Sequence, residues 1–313
     1  MRDVLFLLLG LAVLTYAADR FVIGAVRVAT ILKVSTVLVG ALVVGFGTSA
    51  PELLVSALAS IDGKQDIALG NIVGSNTANV LMVVGAAAIF SSLPIAQRIW
   101  RQEIRLMLAS VALLALVCAD RRVTTVEAIG LLVAAVAAIG LIIFWASRDR
   151  AAAADLEDEI EDLVGGEHAL GPSVILTLFG LAGTLGGAQL LVVGASGLAA
   201  TLGMSEAVIG LTIVAIGTSL PELVTATAAA RHDENDLIIG NIVGSNIFNS
   251  LPVAGIAGLL DTTTLDPQFS ISLVVMVAAS LLFAVFARRS FHITRNEGIV
   301  LLVAFVVAMA VTF

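Results

Sequence analysis

Two glutamates, Glu52 and Glu222, stand in otherwise apolar sequence, each directly behind a proline and each four residues after a threonine. Their surroundings are near-copies. One cassette runs VGFGTSAPELLVSALAS over Val44–Ser60 and IALGNIVGSNTANVLMVVG over Ile67–Gly85. The other runs VAIGTSLPELVTATAAA over Val214–Ala230 and LIIGNIVGSNIFNSLPVAG over Leu237–Gly255. Thr48, Pro51, Glu52, Asn71, Gly74, Ser75 and Asn79 recur 170 residues later, without a gap, as Thr218, Pro221, Glu222, Asn241, Gly244, Ser245 and Asn249. Thr48 and Glu52 share one helical face, as do Thr218 and Glu222. Asn71, Ser75 and Asn79 align in the same way, as do Asn241, Ser245 and Asn249. Pro51 and Pro221 lack an amide hydrogen, so the carbonyls of Gly47 and Gly217 lose their helical partners. Carboxylate, carbonyl, hydroxyl and amide oxygens form a hard donor set. Such a set suits calcium and sodium and lacks the His and Cys that softer metals prefer.

The elements that must position these residues are membrane spans. The 313 residues are 59% hydrophobic and 13% charged, with a mean hydropathy of +1.08. A soluble domain would carry about a quarter charged residues. A charge at the bilayer centre costs at least ~2.5 kcal/mol, so a matched pair of intramembrane glutamates implies a cavity and a cation or proton to meet them. At roughly 20 apolar residues per span, ten spans are expected: 3–29, 36–61, 67–91, 103–119, 124–146, 172–200, 205–229, 236–259, 269–287 and 297–312. The first is kept as a retained span rather than a signal peptide, because Gly24, Ser35 and Gly40 match Gly194, Ser205 and Gly210 at the common offset.

Five spans per copy is an odd number, so the second copy enters the membrane inverted. Inverted repeats with interrupted helices at matched positions mark secondary transporters that hold substrate near the midplane. The expected fold is therefore an all-α polytopic membrane protein of ten transmembrane helices in two inverted five-helix repeats. Residues 1–146 form the first repeat, with its cassette over 36–91, and 172–313 the second, with its cassette over 205–259. Residues 147–171 form an acidic cytoplasmic linker that carries Asp155, Glu157, Asp158, Glu159, Glu161, Asp162 and Glu167. This run accounts for much of the net charge of −8 and lacks EF-hand spacing, so it reads as a solvated connector. Ten Lys and Arg residues in short loops fall on the side opposite the termini, and four on the same side, which puts both termini outside a cell membrane. Cys118, the lone cysteine, excludes an internal disulfide.

One other motif invites a chemical reading. Gly194-Ala195-Ser196-Gly197 matches the GxSG of intramembrane serine proteases, but no histidine lies within a span to activate Ser196. His168, His232 and His292 all fall in predicted loops. Close helix packing through small residues explains the stretch better, and no enzyme activity is expected.

The paired GTSxPE and GNIVGSN cassettes resemble the two alpha-repeats of the calcium:cation antiporter superfamily, and most of all its sodium/calcium exchanger branch. What the resemblance implies is a ten-helix antiporter with cation sites at its centre. Matched position by position, the implied ligands are Thr48, Ser49, Glu52, Ser75 and Asn79 with Thr218, Ser219, Glu222, Ser245 and Asn249. Backbone carbonyls at Gly45 and Ala215 also fall on liganding positions. Gly45 stands where an alanine is common. Asn249 stands where several relatives carry aspartate, which argues against potassium dependence and leaves two formal negative charges at the site.

The implied function is exchange of calcium for sodium, both as transported ions, with no cofactor, no nucleic-acid partner and a monomer as the working unit in the lipid bilayer. Two alternatives stay open on the residues: a proton/calcium antiporter in which the glutamates carry protons, and a cation channel, which would normally place its filter on an oligomer axis. Helices 1 and 6 are expected to slide against a core of helices 2–3 and 7–8, with Gly180, Gly183, Gly186, Gly187 and Gly194 as the smooth face.

Overall fold

The computed structural model describes residues 2–157, 169–202 and 215–312. Twelve helices account for most of them. In chain order they are α1 (Arg2–Ile31), α2 (Thr36–Thr48), α3 (Ala50–Ile61), α4 (Gln65–Phe90), α5 (residues 97–117), α6 (Thr125–Glu157), α7 (Leu170–Thr201), α8 (Ala215–Thr218), α9 (Leu220–Arg231), α10 (Asn235–Leu260), α11 (Phe269–Arg289) and α12 (Arg295–Thr312). Two short strands, β1 (Leu93–Pro94) and β2 (His292–Ile293), pair antiparallel and tie the end of α4 to the start of α12.

Among the described residues, seven helices are long and apolar enough to cross a membrane, and up to eight if α2 and α3, bent by 42° at their break, count as one span. The expected span 205–229 begins outside the described residues, and so does the acidic run from Asp158 to Glu167. Helix α6 runs on to Glu157, so residues 147–157 of the expected linker are helical.

Burial sorts the helices into a centre and a rim. The apolar windows of α4 and α10 are 83% and 78% buried, against 33% for α1, 28% for α6 and α7, and 17% for α12. Outward-facing residues on the rim, such as Leu5, Val136, Phe179 and Val306, are large and apolar, as lipid contact requires. The two cassette helices are therefore the core of the molecule.

Local geometry repeats with the sequence. Both α4 and α10 widen into a π-helical turn at matched places, Asn79–Val83 and Asn249–Val253. Such bulges are frequent at functional sites because they re-aim side chains and loosen the backbone ladder. Gly63 and Asp233, also matched, both take positive φ values of 70° and 58° in the turns before these helices.

Glycine sets two close approaches. A Cβ on Gly240 would lie 2.5 Å from the carbonyl oxygen of Val37, so α2 and α10 touch backbone to backbone. Along the α1–α7 contact, a Cβ on Gly180 would meet Phe21 N at 2.5 Å and one on Gly187 would meet Leu14 N at 2.5 Å. The glycines of α7 thus lock it onto α1. Only Gly186 of the expected smooth face has open space beside it. Gly194 and Gly197 press on Leu7 and Asp3 in the same way, which accounts for the GxSG stretch by packing.

Candidate cation site

The helix breaks fall at Ser49 and Ser219, with φ/ψ of −82°/10° and −89°/5°, so α2 ends at Thr48 and α8 at Thr218. Each proline sits in the first turn of the half-helix that follows, where its missing N–H is not needed. Glu52 and Glu222 occupy that same first turn. Their carboxylates therefore stand at positive ends of helix dipoles, which favour negative charge. Both glutamates are fully buried, 0% exposed, as are Ser49, Ser219, Asn79 and Asn249.

The two halves interlock. Ser49 Oγ donates to Glu222 Oε1 at 2.9 Å, and Ser75 Oγ donates to Glu52 Oε1 at 3.3 Å. Thr48 Oγ1 donates to Asn241 Oδ1 at 3.3 Å, and its counterpart Thr218 Oγ1 to Asn71 Oδ1 at 3.4 Å. Ser219 Oγ lies 3.5 Å from Ser75 Oγ. The Gly45 carbonyl accepts from Ser245 Oγ at 3.0 Å. Ala215 opens α8 at the position matching Gly45. The structure thus brings Thr48, Ser49, Glu52, Ser75, Thr218, Ser219, Glu222, Ser245 and Gly45 into one polar cluster. Asn79 and Asn249 each lie one helical turn past its serines.

Buried oxygens in this region without a protein partner include four on the expected ligands: Glu52 Oε2, Glu222 Oε2, Asn79 Oδ1 and Asn249 Oδ1. A buried carboxylate oxygen without a partner is costly, and a cation removes that cost. All four are oxygens, the donors that calcium and sodium prefer. Among the described residues there is no group of three or more His, Cys, Asp or Glu that could hold a metal ion.

Three polar residues escaped the sequence reading as contributors: Asn76, Asn246 and Ser250. All are fully buried and hydrogen-bonded within the cluster's outer layer. The signal for the first two was present, since Asn76 and Asn246 recur at the 170-residue offset inside GNIVGSN. Ser250 gave none, because Val80 is its counterpart. Asp19, inside the apolar run of α1, was likewise passed over; it pairs with His232 at 2.6 Å, where both side chains are 38% exposed.

Known proteins match this chain along its length. The family described as sodium/calcium exchanger protein matches residues 3–144 and 172–313. CaxA of Alkalimonas amylolytica is 38% identical over 306 residues, covering 96% of this chain and 96% of that protein. Sodium/calcium exchanger MaX1 of Methanosarcina acetivorans is 32% identical, covering 99% and 98%. The solved structure of the sodium-calcium exchanger NCX_Mj, soaked with 10 mM Na+ and 10 mM Sr2+, superposes with a TM-score of 0.87 at 32% identity, covering 99% of this chain and 98% of that one.

Proposed function

The chain belongs to the sodium/calcium exchanger family, whose members are transporters and not enzymes, and from that premise we propose that it exchanges calcium for sodium by alternating access at a central all-oxygen site. The observation that carries this reading is the set of four buried, unpartnered oxygens on Glu52, Glu222, Asn79 and Asn249. The remaining ligands are Thr48, Ser49, Ser75, Thr218, Ser219 and Ser245 with the carbonyls of Gly45 and Ala215. Two carboxylates balance one calcium ion or two sodium ions. A site that cannot hold both loads at once couples their movements, which is all that exchange requires.

The ten-span, inverted-repeat architecture belongs to the same proposal. Beyond the helices long enough to span by themselves, it takes the bent pair α2–α3, the stretch 97–117 with its π turn, and the half-helices α8 and α9 as further crossings. Repeats over 1–146 and 172–313 are joined by the acidic linker at 147–171 on the cytoplasmic side of a cell membrane, with both termini outside. The tight α1–α7 contact makes these two helices one body that moves against the cassette helices. The working unit is a monomer.

Calcium-45 flux in proteoliposomes, driven in turn by sodium, potassium and proton gradients, tests the proposal. Uptake driven by sodium alone supports it. Uptake driven by a pH gradient and indifferent to sodium would replace it with proton/calcium antiport, and single-channel currents would replace it with a channel.

A further inference from the structure

The amides around Asn79 and Asn249 are not equivalent, and the difference follows from what each can accept. Asn246 Nδ2 faces the Asn76 carbonyl at 3.4 Å and the Met107 sulfur at 3.7 Å. Both neighbours only accept, so the NH2 end of Asn246 must point at them. Its Oδ1 then faces Asn79, whose Nδ2 donates to it at 3.0 Å. Asn79 is thereby obliged to present its NH2 outward to Asn246 and to leave Oδ1 free, which is the unpartnered oxygen found there.

At the matched place the relay is interrupted. Asn76 Nδ2 donates to Ser250 Oγ at 2.8 Å and approaches the acceptor-only Met276 sulfur at 3.5 Å. Asn76 Oδ1 is left unpartnered, and so are both Nδ2 and Oδ1 of Asn249. No hydrogen bond dictates which way the Asn249 amide is turned.

We propose that Asn246 is a positioning residue, backed by Met107, that fixes the Asn79 amide with its oxygen toward the ion, while Asn249 is the unfixed amide of the site. The proposal rests on the reading of Glu52, Glu222 and Asn79 as cation ligands. Partners that orient metal ligands without touching the metal change affinity by roughly 10- to 100-fold. An aspartate at 79 has two oxygens and needs no orienting acceptor, so in that background Asn246 has no positioning role left to lose.

Calcium binding to the detergent-solubilised full chain is measured by titration calorimetry for wild type, Asn246→Leu, Asn79→Asp and the double variant. Asn246→Leu is expected to weaken calcium roughly 10-fold or more in the wild-type background, by analogy with such orienting partners, and not to weaken it in the Asn79→Asp background, where it removes an oxygen that faces the carboxylate. Equal losses in both backgrounds would make Asn246 a packing residue only, and no loss in either would overturn the proposal outright. Asn246→Ala, which leaves space instead of filling it, repeats the cycle if the leucine variant fails to fold. Glu52→Gln and Glu222→Gln form the separate arm. If both retain wild-type calcium binding, the site itself is misplaced, whatever Asn246 does.

Discussion

Ser49 and Glu222 lie 173 residues apart in sequence, yet the serine hydroxyl donates to the carboxylate at 2.9 Å. The break in one half thus supports the acid of the other. Ser75 supports Glu52 within the first half, and Ser219 from the second lies 3.5 Å from Ser75. The site is thus shared between the halves, because the acid of the second takes a hydroxyl from the first.

From this arrangement, Glu52→Gln and Glu222→Gln should each abolish calcium transport in a protein that still folds. Each removes half the formal charge while keeping shape and hydrogen-bonding capacity. Ser49→Ala removes one hydrogen bond to a charged group, worth about 1.5 kcal/mol or more, and should weaken calcium roughly tenfold. Calcium-45 flux and gel filtration check both points together. Near-normal exchange by either glutamine variant would displace the site.

The α1–α7 contact makes a second set of expectations. Gly187→Val forces a side chain into the backbone of Leu14 and should destabilise the protein by about 1–3 kcal/mol, as overpacking does, whereas Gly186→Ala should be tolerated. Thermal unfolding of the two variants gives the comparison. Asp19 and His232 join α1 to the end of α9 at 2.6 Å. A bifunctional thiol cross-linker between Asp19→Cys and His232→Cys, in a Cys118→Ala background, should stop transport but spare calcium binding. Full transport in the cross-linked protein would show that α1 does not move relative to α9.

Much of the site was legible in the sequence because it is written twice. The carboxylates, the prolines and the hydroxyls declare themselves by recurring inside apolar runs, and the break at Ser49 follows from Pro51 and its neighbouring glycines. The glycine face of α7 was legible as small residues but not as a lock, since composition alone does not say which neighbour a smooth face meets. Asn246 was visible by its recurrence, yet its role depends on the Met107 sulfur, a long-range contact with no pattern in the chain. Ser250 lies beyond any repeat argument. It acts by differing from Val80.

A pH effect is expected outside the spans at Glu234. Burial, with the charge of Asp236 adding and His232 opposing, holds its carboxyl above the ordinary glutamate value of 4.5. The native state therefore binds this proton more tightly than the unfolded chain does. Its ionisation costs the fold stability, progressively as pH rises above the ordinary value and on through the native one. Glu234→Gln should raise the melting temperature slightly at neutral pH and leave it unchanged in acid below 4.5. The residue is half-buried, so the gain is small. A melting profile parallel to wild type across the whole range would remove Glu234 as a source of pH dependence.

Asn249, one helical turn past Ser245, carries a buried amide with no partner at either end. Asn249→Asp would place a third carboxylate in that neighbourhood. One calcium ion neutralises only two of the three charges, so the remainder calls for a proton or a monovalent cation as an additional occupant. Calcium transport by the variant should therefore become more sensitive to pH, to potassium, or to both, with inhibition growing as pH falls. Asn79→Asp should act in the same direction, because Asn79 holds the matched place in the other half. Its amide is already held by Asn246 at 3.0 Å, and a carboxylate there would face the Asn246 oxygen without a hydrogen to donate. Asn79→Asp should accordingly carry a further cost in stability that Asn249→Asp does not. Flux against pH and potassium for wild type and both variants, with a melting curve for each, reads the two effects separately. Superimposed flux profiles for all three proteins would mean that neither amide feels the carboxylates, and both would have to be struck from the ligand set.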